Sequence, residues 1–219
     1  MALSLVAGDA MAHAIDGPDA AFVAATNGPA PGPFLYLGAK HMVTGYDHLL
    51  FLLGVIFFLR RMRDVILYVS LFSLGHSITL LSGVLAGFGL DAYLVDAAIG
   101  ISVAWKAFDN IGGFERLAQW RPNPRWMVFG FGLIHGLGLA TKLEGLRLHG
   151  DGLLINLISF NLGVELGQVM ALSMLLLAIF GLRLARAFAP TALAVNTAVM
   201  TAGFTLTGFQ IASHFWGRP

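Results

Sequence analysis

The sequence contains no cysteine. That excludes disulfides and removes thiolate from the ligands a metal site in this chain can use, leaving imidazole, carboxylate, amide and thioether. Charge is nearly as scarce. Lys and Arg number 13, Asp and Glu 12, together 11% of the 219 residues, against about 25% in soluble domains. So few charges cannot cover a soluble globule of this size, and most of the apolar segments have no polar face to turn to water. A net charge of +1 supplies no basic stripe for nucleic acid. The alternating apolar and polar segments of a membrane β-barrel are also missing. What is present is 57% hydrophobic residues and a mean hydropathy of +0.78. The composition implies an all-α integral membrane protein whose main partner is the lipid bilayer.

A spanning helix needs about 20 apolar residues, and runs of that kind predict spans at 34–59, 65–89, 92–112, 127–143, 153–181 and 191–215. The expected fold is a bundle of six transmembrane helices over residues 34–219. Residues 1–33 read as a non-cytoplasmic leader. "MALSLVAGDAMAHA" ends in small residues like a signal-peptidase site but lacks a basic start, and Asp9 interrupts its apolar run. It is therefore either a weak signal segment or an external tail. Bases concentrate in alternate connections: Arg60, Arg61 and Arg63 in the first, Arg116, Arg121 and Arg125 in the third, Arg183 and Arg186 in the fifth. The second connection has none, and the fourth sets Lys142 and Arg147 against Glu144 and Asp151. The positive-inside rule then predicts cytoplasmic odd connections, with both termini on the non-cytoplasmic side.

Against this background the polar groups at membrane depth stand out. The segment "HMVTGYDHLLFLLGVIFFL" opens with His41, Asp47 and His48; seven residues apart, the two imidazoles share a helix face. The second span carries Ser73, His76, Ser77 and Thr79, the third Asp96 toward its outer end and Lys106 with Asp109 deeper, the fourth His135. On the fifth, Asn161, Glu165 and Gln168 form a polar stripe, and Gln210 and His214 close the sixth. Charged groups cost about 2.5–3.5 kcal/mol each at the membrane centre, so such residues face an interior cavity and mark function. The expected metal residues are His41, Asp47, His48, His76, His135 and Glu165. Ser73, Ser77, Asp96, Asn161 and Gln168 are expected to line the same cavity. Lys106 and Asp109 have the spacing of an ion pair. Gly132 with Gly136, and Gly163 with Gly167, are small-xxx-small patterns that let helices approach. The second pair lies opposite Glu165 on a helical wheel.

The motifs carry a resemblance. His41, "MVTGY", then Asp47 and His48 form a His-x5-Asp-His element, and "GHSITL", "FGLIHGLGLA" and "FNLGVELGQ" follow in the second, fourth and fifth spans. Over residues 36–215 the sequence resembles the HupE/UreJ family of small bacterial membrane proteins linked to nickel supply for hydrogenase and urease. The resemblance implies a divalent-metal permease of the bacterial inner membrane, with nickel the usual cargo and His41, Asp47 and His48 as metal-recognition residues. His135 matches the later His-Gly motif. Two positions depart from the family pattern: Lys142 stands where a form of that motif has an acid, and Asp96 stands in place of Glu.

Imidazole with carboxylate suits nickel, cobalt and zinc, and copper also binds imidazole. No enzymatic activity is expected. The principal rival is a zinc-dependent intramembrane hydrolase, with Glu165 or Asp47 as base and Ser73, Ser77 and Thr79 positioning substrate. A metal-sensing or accessory subunit is a third class. A homo-oligomer is compatible with the sequence.

Overall fold

In the computed structural model, residues 17–119, 122–145, 151–184 and 188–217 are described. The Arg121, Arg147 and Arg186 positions and most of the expected leader, residues 1–16, lie outside them. The described residues form helices joined by short connections, without strands. Short α1 (Gly17–Ala25) precedes α2 (Pro31–Thr44), α3 (Tyr46–Ile56), α4 (Met62–Ala86) and α5 (Ala92–Asn110). Short α6 (Gly113–Ala118) leads to α7 (Pro124–Gly145), α8 (Leu153–Leu184) and α9 (Phe188–Trp216). Four of these are long and apolar enough to cross a membrane: Met62–Ala86, Pro124–Glu144, Leu153–Leu184 and Phe188–Trp216. Their outward surfaces carry Leu74, Ile78, Met170, Met174, Leu177 and Phe204, all exposed. A water-soluble chain would bury such a belt; lipid solvates it. The chain is a multi-pass membrane protein.

The expected first span is not one helix. It divides into α2 and α3 at Gly45, whose ψ of 94° leaves the helical region. A Cβ at Gly45 would stand 2.9 Å from the His41 carbonyl and 3.1 Å from Nδ1 of His48, so only glycine lets the chain fold this closely. The third expected span, α5, has 19 residues and carries Asp96, Lys106 and Asp109; it is not among the four apolar spans. Residues 17–30 are built onto the bundle: Val23 of α1 is buried in the core with Phe34, Leu37 and Leu157.

Tight packing joins the helices mainly in three pairs: α2 with α8, α4 with α7, and α5 with α9. Lipid offers apolar surface as good as a neighbouring helix, so association depends on close backbone approach. The glycines supply it. A Cβ on Gly163 would collide with the Leu35 carbonyl, and one on Gly38 with that of Phe160. Gly132 faces the Phe72 carbonyl, Gly136 that of His76, and Gly100 meets Thr207. Polar ties fix the ends. Asn156 of α8 accepts from the Ala30 N–H and donates to the Gly28 carbonyl. At the other end, Arg183 of α8 donates to the Phe57 and Leu59 carbonyls that follow α3. Lys106 and Asp109 pair at 2.7 Å, as their spacing predicts.

Candidate metal centre

The break at Gly45 builds the site. It places His41 in the last turn of α2 and Asp47 with His48 in the first turn of α3, so an imidazole faces carbonyl ends and a carboxylate faces amide ends. The His41 and His48 rings are 5.2 Å apart between centroids. From α4, His76 comes to 5.6 Å of His48; from α7, His135 comes to 5.0 Å. All four imidazoles and Asp47 are buried. One ligand nitrogen from each of His41, His48 and His76 lies within 4.8 Å of the others. A metal with bonds of about 2.0–2.1 Å to nitrogen holds its donors roughly 3.0–3.4 Å apart, so a small inward rotation of the rings closes the set on an ion.

Hydrogen bonds decide which nitrogens present lone pairs. His135 Nδ1 lies 2.8 Å from the Phe131 carbonyl. A carbonyl only accepts, so Nδ1 carries the proton and Nε2 presents its lone pair. Oδ1 of Asp47 lies 3.2 Å from His48 Nδ1. An ionised Asp47 there holds the ring and its tautomer, the role a carboxylate commonly plays behind a metal-bound histidine. His76 differs: neither ring nitrogen has a hydrogen-bond partner among the described residues, and Nε2 of His135 has none either. Leaving buried polar atoms unmatched costs about 1–3 kcal/mol each. A neutral imidazole offers one lone pair, so a cation bound among the rings would take Nε2 of His135 and one nitrogen of His76, and the donor set fits a metal.

Phenylalanines seal this cluster. Phe72 lies 5.1 Å from His135 and 6.1 Å from His48, Phe51 lies 5.1 Å from His135, and Phe160 lies 6.1 Å from His41. Sequence reasoning missed this wall. A signal was present, because Phe72 precedes His76 by four residues and Phe51 follows His48 by three, both same-face spacings.

The structure does not bring every candidate to this cluster. Glu165 is exposed. With Ser73, Ser77, Asn161 and Gln168 it lines a separate groove between α4 and α8. Its stripe does lie opposite Gly163 and Gly167, but that glycine face packs on α2 and the stripe turns away from the histidines. Asp96 stands closer. Its Oδ2 pairs with the Lys142 ammonium at 2.9 Å, and Oδ1 is 3.4 Å from where a Cβ of Gly138 would stand, one turn beyond His135. Lys142 and Glu144 therefore belong to α7 rather than to the fourth connection. Glu144 accepts from the Phe88 and Gly89 N–H groups after α4, so Lys142 is balanced by Asp96 within the bundle.

Comparison with curated proteins and with solved structures returns no match. The family model described as HupE / UreJ protein matches residues 18–218, nearly the whole chain and every helix that carries a site residue. The chain belongs to the HupE/UreJ family.

Proposed function

We propose that the protein is a divalent transition-metal permease of the bacterial inner membrane, with nickel as its principal cargo. Residues His41, His48 and His76 are the cargo's ligands in this reading, His135 is a fourth donor, and Asp47 orients His48. The observation that carries it is the meeting of buried imidazoles from different helices at a helix break. Discontinuous helices at mid-membrane are a recurrent way to build transport sites, because irregular backbone is tolerated there where protein or a cavity surrounds it. Family membership supports the same class of cargo.

The chemistry follows from the donor set. A hydrated dication exchanges water for neutral imidazole nitrogen, which suits nickel, cobalt and zinc. The phenylalanine wall excludes competing water. Without cysteine the site lacks the thiolate that holds soft metals longest, and transport requires release as well as capture. The hydrolase alternative needs a carboxylate base beside the metal; Glu165 lies in the α4–α8 groove, and Asp47 engages His48. Isotope uptake into reconstituted vesicles, with nickel, cobalt, zinc and copper in competition, tests the proposal. Saturable nickel uptake displaced by cobalt supports it. Purification with tightly held stoichiometric zinc and no uptake would favour the hydrolase.

A further inference from the structure

We propose that the groove between α4 and α8 is a water-filled chamber that receives a hydrated divalent cation beside the histidine cluster, with the Glu165 carboxylate as its counter-charge. The cation's identity rests on the permease reading; the chamber itself can be tested without transport.

The groove has a volume of about 560 Å³ and is lined by Ser70, Ser73, Ser77, Asn161, Glu165 and Gln168, with Val69, Leu74 and Val169. It lies near the middle of both helices, Met62–Ala86 and Leu153–Leu184. Around it the same helices expose Ile78, Leu166 and Met170. A carboxylate, two amides and three hydroxyls set into a lipid-facing belt are not lipid contacts. At membrane depth such groups face water or a polar ligand, and the volume holds several waters.

The lining groups indicate what the ligand is. Ser77 Oγ already donates to the Ser73 carbonyl, so it offers only lone pairs to the groove. The Oδ1 of Asn161 has no partner among the described residues. Gln168 uses Nε2 on the Val69 carbonyl, 3.4 Å away, which ties the two helices at the floor. Acceptors around one negative charge suit the outward-pointing hydrogens of a cation's water shell. Among the described residues no imidazole lines the groove, so the ion keeps that shell here.

The chamber and the histidine cluster draw on the same two helices, α4 and α8. His76 lies between Ser73 and Ser77 on α4, and Asn161 follows Phe160, whose ring is 6.1 Å from that of His41.

The chain has no cysteine, so single thiols report access without background. Ser70→Cys and Ser73→Cys, in purified protein reconstituted into vesicles, should react with a positively charged methanethiosulfonate reagent. Leu177→Cys, on the lipid-facing side of α8, should not. Nickel should slow the groove reaction about tenfold at roughly ten times its Kd. That protection should persist in a His48→Ala background and disappear with Glu165→Gln, each rate with nickel being compared with the same variant's rate without it. If both groove thiols are as inert as Leu177→Cys, the chamber is refuted. Reactivity without nickel protection, or protection that survives Glu165→Gln, overturns the cation assignment. Protection retained by a protein that moves no metal supports the chamber and counts against the permease reading alone.

Discussion

Asp47 and Lys142 each place one charge inside the bundle, and the consequences of removing them differ. Asp47 holds His48 by its Nδ1. Asp47→Asn keeps the shape and loses the charge, and changes of this kind cost 10–100-fold in metal affinity, so we expect nickel Kd and uptake to worsen by about that factor. Unchanged uptake with unchanged pH dependence would remove Asp47 from the site. Because imidazole must be deprotonated to bind metal, protons compete with the cargo for the lone pairs and uptake should fall in strongly acid medium; uptake unchanged down to the pH at which the protein unfolds argues against histidine ligation. Lys142 touches Asp96 at 2.9 Å with little exposure on either side. Lys142→Ala strips a buried carboxylate of its cation, a change that costs about 3–5 kcal/mol in such pairs. A lowered unfolding midpoint in detergent checks this, with Lys142→Ala/Asp96→Asn recovering most of the loss. Residue types were the legible part of the site: intramembrane imidazoles announce themselves by cost. The partner of Lys142 was not legible, because sequence distance offered Glu144 and Asp151 while the fold chose Asp96, 46 residues away.

At the scale of the element, the Gly45 break matters most. Gly45→Ala sets a methyl against the His41 carbonyl and the His48 ring. Relief requires moving α3 or straightening the helix, and either displaces His48 from His76. We expect Gly45→Ala to weaken metal binding at least as much as Asp47→Asn while leaving helix content by circular dichroism intact; normal binding would show that the break is incidental. Apolar run length located most of the helices, but it could not reveal this break, since Gly45 interrupts no hydropathy and its φ of −70° is open to any residue. The wheel of α8 correctly separated the Gly163–Gly167 face from the Glu165 face. It could not say which neighbour each face meets. Glycine packing on α2 decided that, and so left Glu165 in the groove.

For the whole molecule, we propose six passes, with the α2–α3 unit as the first and both termini on the non-cytoplasmic side. The supporting ties are Arg183 with the chain after α3 at one end and Asn156 with Gly28 at the other, together with the arginines that gather in alternate connections. Arg61→Cys should resist an impermeant thiol reagent in intact cells and react after permeabilisation; labelling in intact cells contradicts the orientation. In this reading the buried histidine cluster carries the cargo, and His76 is the sharpest probe of it, because neither of its ring nitrogens has a hydrogen-bond partner among the described residues. Nickel uptake by His76→Ala in reconstituted vesicles is the measurement. We expect at least about a tenfold loss, the equivalent of 1.4 kcal/mol, at an unchanged unfolding midpoint. Wild-type uptake by His76→Ala contradicts it.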